Sequence, residues 1–303
     1  MVGVFVAALS LLLAACRGDA PGRTGAPAER AIVIVDDGGR AVTLPHPARR
    51  VVSLVPSVTE TVIALGAADR LVGRTRYDRD SAVAALPVVG GGLDPNLEAM
   101  AELAPDLVVS WFTGERPEIR RRLDDAGIPT LSLSLQDTTD AFRALTLMGQ
   151  ALGRVDAADR LLARLHDSLA TTRRLAATVE RRRVFYVVYN DPPMTMGPAT
   201  FIAQVLDLAG CDNIFGDATS NWPTVSLETV VRRDPDVVVL PVGEMPAHTR
   251  ERLRAEAGWK ELRAVRRGCI VLVDADVVNR PGPNIARAAE QLRVAIHREG
   301  CGR

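Results

Sequence analysis

DAADRLLARLHDSLATTRRLAATVE, residues 156–180, lies at the middle of the 303-residue chain. Leu161, Leu162, Leu165, Leu169 and Leu175 recur there at helical spacing amid Arg, Asp and Glu. From Thr138 to about Val179 there is no proline, and the only glycines are Gly149 and Gly153. This is the longest helical pattern in the sequence, and it predicts a linking helix over 151–181. What flanks it sets the fold. On the N-terminal side, short apolar runs at 51–55, 71–73, 87–89, 107–111 and 130–135 read as strands, with helical patterns at 57–65, 97–103 and 118–126. On the C-terminal side, strands at 184–189, 237–240 and 270–273 alternate with helices at 200–209, 226–232, 260–265 and 284–297. Strands that are continuously apolar and alternate with helices belong to parallel sheets covered on both faces. The expected fold class is therefore α/β: two Rossmann-like lobes, 31–150 and 182–303, with parallel-rich central sheets joined by one long backbone helix. AIVIVDDGGRAVTL (31–44) precedes the first lobe and carries a hairpin signal at Asp37-Gly38-Gly39.

The start of the chain has a different character. An apolar run from Val2 to Ala15 is too short to span a bilayer as a helix and ends in Leu13-Ala14-Ala15-Cys16. Small residues before a cysteine whose thiol can accept a lipid read as a lipoprotein signal, although no Lys or Arg precedes Arg17. Residues 1–15 are then a signal peptide, Cys16 the lipidation site, and 16–30, rich in Gly, Pro and Ala, a flexible tether. The expected location is outside the cytoplasm, on the periplasmic side of a bacterial membrane or at a cell surface, with the membrane as a partner through the anchor.

About 285 residues remain after such cleavage, enough for two lobes with cores of their own. Hydrophobic content of 47% and charged content of 24% describe a globular chain, and a formal net charge of zero gives no electrostatic case for nucleic acid. A monomer is expected. Cys211, Cys269 and Cys301 all lie in the last third; a Cys211–Cys301 disulfide and three unpaired thiols are both open readings. His46, His166, His248 and His297 are scattered, with no local metal-ligand spacing, so no metal site and no intrinsic cofactor are expected.

No Gly-x-Ser-x-Gly or Ser-x-x-Lys arrangement occurs, and no acid, base and nucleophile set assembles, so an enzyme is not expected. Ser57 in LVPSVTE has Glu60 three residues on, the spacing of a capping box; the same position also lines a cleft if ligands meet strand ends and helix starts. Aromatic residues make up only 4% of the chain, yet Tyr77, Trp111, Phe112, Tyr189 and Trp222 fall at strand ends or in loops, where a cleft between lobes would form. Met194 and Met196 in DPPMTMG add adaptable apolar surface there. Glu98 in PNLEAMAEL and Glu228 in VSLETVV occupy matching helix starts, each followed by Pro-Asp and an apolar strand. Helix-terminal dipole compensation alone accounts for such glutamates.

RVVSLVPSVTETVIALGAADRLVGRTRYD, GGLDPNLEAMAELAPDLVVSW, MGPATFIAQVLDLAGCDNIF, WPTVSLETVVRRDPDVVVL and RPGPNIARAAEQL together resemble the substrate-binding proteins of ABC importers for cobalamin, haem and iron-siderophores. The resemblance runs from about residue 31 to the C-terminus and is nearest to cobalamin binders through SLVPSVTE, the tyrosine after GRT, and WPTVSLE. It implies Tyr77 and Trp222 on a corrin ring from opposite lobes, and Trp111 and the DPPMTMG loop along the cleft. It also implies Glu98 and Glu228 docking onto arginines of a permease that works with ATPase subunits. The implied ligand is cobalamin or a related corrinoid, its cobalt carried within it; haem or a ferric siderophore is the alternative, and an exported α/β enzyme the rival from another class. Cobalamin binders of enteric type carry one more cleft tryptophan where this chain has Gly90-Gly91-Gly92-Leu93. A helical linker resists hinge motion more than paired strands do, so modest closure is expected.

Overall fold

The computed structural model describes residues 31–114, 116–243 and 250–297. The expected signal peptide and tether, Cys16, His248 and Cys301 lie outside these residues.

The chain opens with an antiparallel hairpin, β1 (Ile32–Val35) and β2 (Ala41–Leu44), turned at Asp37-Gly38-Gly39. The first lobe follows as β3 (Val51–Ser53), α1 (Pro56–Ala64), β4 (Leu71–Gly73), α2 (Leu97–Glu102), β5 (Leu107–Trp111), α3 (Pro117–Asp125) and β6 (Thr130–Leu133). Its four strands pair in the order β4-β3-β5-β6, all parallel. Every residue of β3 and β6 is buried, as a sheet covered on both faces requires.

Two helices cross to the second lobe, α4 (Thr138–Ala151) and α5 (Val155–Ala176). The unbroken pattern from 138 to 179 is thus two helices, because Gly153 adopts φ 59° and stops the first. With 22 residues, α5 is about 33 Å long.

The second lobe comprises β7 (Arg182–Tyr186), the short pair β8 (Tyr189–Asn190) and β9 (Pro193–Met194), α6 (Phe201–Leu208), β10 (Cys211–Asn213), α7 (Leu227–Arg233) and β11 (Val237–Val242). It ends with α8 (Arg250–Ala255), α9 (Arg263–Arg266), β12 (Ile270–Asp274), α10 (Ala275–Val278) and α11 (Ile285–Ile296). The sheet order β10-β7-β11-β12, again all parallel, repeats that of the first lobe.

The repetition extends to side chains. Asp106 accepts backbone hydrogen bonds from Arg49 and Arg50, and Asp236 accepts one from Arg183, each tying a Pro-Asp turn to the start of a central strand. The Arg50 side chain donates to the Leu103 and Ala104 carbonyls, and that of Arg183 to the Arg233 carbonyl. Ala104 and Asp234, one at each turn, both have positive φ.

Three expected elements are altered. The strand at 184–189 ends at Tyr186, and Tyr189 belongs to β8. The strand at 87–89 is a single bridge between Arg74 and Val88. The helix at 260–265 breaks into a 3-10 turn (Trp259–Glu261) and α9, because Leu262 takes extended backbone while both Trp259 and Leu262 turn into the core at 1% exposure.

One apolar cluster runs through the hairpin, β3, α1, α4 and α5 and on into β7, α6 and α11, joining Ile34, Val58, Leu145, Leu165, Val205 and Leu292. The two lobes therefore share a core. Smaller clusters cover the outer face of each sheet, around Met100 and Val108 in the first lobe and around Phe185 and Trp259 in the second.

Candidate functional site

A cleft of about 390 Å³ opens between the lobes, lined among others by Ser57, Tyr77, Trp111, Phe201, Trp222 and Arg280. It lies beyond the carboxyl ends of the strands of the first lobe, where open α/β sheets present loops and helix starts to ligands. Trp111 is the last residue of β5. Tyr77 follows β4 in a turn that the buried Asp78 carboxylate ties down by accepting from the Thr75 amide (2.6 Å) and hydroxyl (2.7 Å). Tyr77, Trp111 and Trp222 keep 45%, 37% and 44% of their surface exposed, so three large flat side chains from both lobes face open space. Rings at such a cleft bind by contact area and stacking.

Met194 and Met196 are placed differently from the expectation. Met196 is fully buried in the shared core, Met194 is half-buried in β9, and neither lines the cleft. Their backbone supports the loop that does. The Thr195 amide donates to the Pro223 carbonyl (3.1 Å), the Gly197 amide to Asn221 (2.8 Å), and the Val225 amide to Pro193 (2.8 Å). The DPPMTMG segment is thus a backing strip for Trp222.

Ser57 lines the cleft but is no helix cap. Val55 is the N-cap residue and Pro56 takes the first helical position, which starts α1 one residue early and places Ser57 inside the first turn at 3% exposure. Released from capping, Glu60 reaches the other lobe. Its Oε1 accepts from Arg280 Nη1 at 2.8 Å and its Oε2 from Asn284 Nδ2 at 2.9 Å. The Arg280 guanidinium also donates to the Tyr77 carbonyl (3.0 Å) and to Asp276. The side chains of Arg280 and Glu60 are 9% and 13% exposed, so this is a buried ion pair between lobes that also pins the backbone of Tyr77. Burial pushes the Glu60 carboxyl above its usual range, against the pull of Arg280. Gly282 makes the approach possible, since a Cβ there would meet the Ser57 carbonyl at 3.1 Å and Ser57 Cβ at 3.2 Å.

Glu98 and Glu228 lie away from the cleft, exposed at the starts of α2 and α7. The caps match: Asn96 accepts from the Glu98 and Ala99 amides, and Ser226 from the Thr229 amide. Glu228 pairs with Arg232 at 2.8 Å, while the corresponding i+4 residue of the first lobe is Glu102. Cys211 is 1% exposed, its Sγ 3.8 Å from His297 Nε2, and burial pushes its thiol up to about 12.

Sequence reasoning missed Arg280, Asn279 and Phe201 as lining residues. The signal for Arg280 was present in RPGPN, an arginine ahead of a rigid Pro-Gly-Pro turn at a helix start. Its partner Glu60 was legible only as a capping residue.

Residues 51–277 match the periplasmic binding protein family. A Bacillus subtilis protein described as an uncharacterized ABC transporter substrate-binding lipoprotein, YvrC, is 28% identical over 308 aligned residues, spanning 97% of this chain and 96% of its own length. A cobalamin-binding protein of Halobacterium salinarum is 30% identical over 272 residues, 86% of this chain and 73% of its own. Among solved structures, the periplasmic vitamin B12 binding protein BtuF of Vibrio cholerae has a TM-score of 0.69 at 25% identity, covering 82% of this chain and 97% of that one. The periplasmic heme-binding protein RhuT of Roseiflexus shares the fold, with a TM-score of 0.75 at 24% identity over 84% of this chain and 100% of its own. With two parallel sheets, a helical link and an aromatic cleft between lobes, the chain belongs to the periplasmic binding protein family, a class that binds solutes and is not a class of enzymes.

Proposed function

We propose that this chain is the substrate-binding protein of an ABC importer, that it captures cobalamin or a related corrinoid between its lobes, and that it delivers the ligand to a membrane permease with its ATPase subunits. The observation that carries the ligand is the convergence of Tyr77, Trp111 and Trp222 on a mainly apolar cleft, a surface suited to a large, flat, partly apolar molecule. The 30% identity to a cobalamin-binding protein supports the same reading. Exposed Glu98 and Glu228, on equivalent helix starts of two equivalent lobes, serve as the docking points for the permease. Lipidation at Cys16, after removal of residues 1–15, holds the protein on the periplasmic side of a bacterial membrane or at a cell surface, with residues 16–30 as tether. The cobalt arrives within the ligand.

Calorimetric titration of the purified chain with cyanocobalamin, cobinamide, haemin and a ferric siderophore tests this. Submicromolar binding of a corrinoid, with no comparable binding of the others, is expected. Tight binding of haemin or the siderophore instead moves the protein to the alternative ligand and leaves the transport role. Trp222→Ala is expected to weaken corrinoid binding by about 1 to 3 kcal/mol, the scale of losing one buried aromatic contact. Unchanged affinity removes Trp222 from the contact surface.

A further inference from the structure

A second chamber of about 340 Å³ adjoins the cleft on the side of the first lobe, and the two share Val55, Pro56, Tyr77 and Trp111 in their walls. Gly92 and Leu93 of the loop Gly90-Gly91-Gly92-Leu93 line it, with Gly92 pressed against Leu54, the residue after β3. A Cβ on Gly92 would meet the Leu54 carbonyl at 2.5 Å, and one on Gly91 would meet Asp94 Oδ1 at 2.2 Å. The loop is anchored by the Arg76 amide donating to Gly90 (2.9 Å) and the Asn96 amide donating to Val89 (2.8 Å). A side chain at Gly92 would push the loop off the Leu54 carbonyl, whereas one at Gly91 would only turn the Asp94 carboxylate aside, so the chamber depends on the close approach of Gly92.

Leu54, Val55, Pro56, Leu93, Tyr77 and Trp111 make its walls mostly apolar. Among the described residues its one cationic lining residue is Arg76, which pairs with Asp94, also in the lining, at 3.0 Å; both side chains are about half exposed, at 49% and 56%. An exposed pair of this kind is weak and can exchange partners. A site continuous with the main cleft takes a part of the same ligand. Apolar and aromatic walls with one exchangeable cation suit a flat, apolar heteroaromatic base joined to the main body through an anionic link.

We propose that this chamber is a subsite for the nucleotide tail of a complete corrinoid, the base lying against Tyr77, Trp111 and Leu93 and the phosphodiester reaching Arg76. The proposal rests on the corrinoid reading above. A planar tetrapyrrole with no appended base leaves the chamber empty, and so does cobinamide, which lacks both base and phosphodiester. The chamber therefore makes this chain selective for complete over incomplete corrinoids.

The test is calorimetry with cyanocobalamin and cobinamide on the wild-type chain, Leu93→Trp and Arg76→Gln. Leu93 is 47% exposed, so a larger side chain there fills the chamber without entering the core. Wild type is expected to bind cyanocobalamin about tenfold or more tighter than cobinamide. Leu93→Trp should abolish that preference by weakening cyanocobalamin alone. Arg76→Gln should weaken cyanocobalamin, flatten its salt dependence and leave cobinamide unchanged. Equal binding of the two corrinoids by wild type, or equal losses for both in Leu93→Trp, overturns the chamber while sparing the corrinoid reading. Binding of neither overturns both.

Discussion

Arg280→Ala is expected to destabilise the fold by about 3 to 5 kcal/mol at neutral pH, the range for removing one partner of a buried ion pair. The loss comes from the group left behind. Glu60 is 13% exposed and keeps Asn284 as its hydrogen-bond partner among the described residues, so its carboxylate is left in a desolvated place without a cation. The pH dependence identifies the cause. Burial already raises the Glu60 carboxyl above 4.5 in the intact protein, with Arg280 opposing the rise, so removing Arg280 raises it further. A carboxyl raised on folding favours the folded state when protonated: its contribution is fully present below the unfolded value and is lost as pH rises through the folded one. Chemical denaturation of the variant should therefore show a deficit that shrinks steadily as pH falls from neutral toward 4.5, and Glu60→Gln in the same background should recover much of it. A deficit below about 1 kcal/mol, or one independent of pH, would show that the pair does not hold the lobes together.

Reversing both docking charges, Glu98→Arg with Glu228→Arg, is expected to abolish uptake while leaving ligand affinity intact. Both residues are exposed and neither lines the cleft. The Glu228–Arg232 pair is solvated, and like charges four apart on a helix cost only about 0.2 to 0.5 kcal/mol, so the fold should tolerate the change. Against a cationic partner surface the same reversal places like charge on like charge in both lobes at once, at a cost of several kcal/mol. Transport in cells and calorimetry on the purified variant separate the two effects. Lost affinity in the purified protein, or uptake that survives, would remove these glutamates from docking.

Much of this was legible in the sequence because periodicity reports burial. The runs at 51–55, 107–111 and 130–135 are rich in apolar residues because parallel strands are covered on both faces, and each forms a strand that is buried but for Trp111 at the end of β5. The echo around Glu98 and Glu228 was visible as a repeated motif, and the structure adds its physical content in equivalent caps, left-handed turns and Asp-to-backbone ties. Tyr77, Trp111 and Trp222 could be placed at the cleft because bulky aromatics are scarce and these sit at or just after strand ends or, for Trp222, in a loop beside Pro223. What escaped depends on distance across the fold. Glu60 and Arg280 are 220 residues apart, and no local spacing signals their pairing. Met196 reads as cleft surface because methionine is an adaptable apolar side chain, yet it turns inward while the amides of its neighbours Thr195 and Gly197 hold the loop that carries Trp222.

The core common to both lobes has a calorimetric consequence. Neither half can lose its packing without exposing side chains of the other, since residues such as Leu165 and Leu206 belong to the same apolar body as Val58 and Leu145. Melting should be one cooperative transition, with calorimetric and van't Hoff enthalpies in agreement. The whole chain then registers occupancy of the cleft, and saturation to 100 times the dissociation constant adds about 2.7 kcal/mol to that single transition. A thermal scan thus becomes a direct gauge of which solute this protein was built to hold.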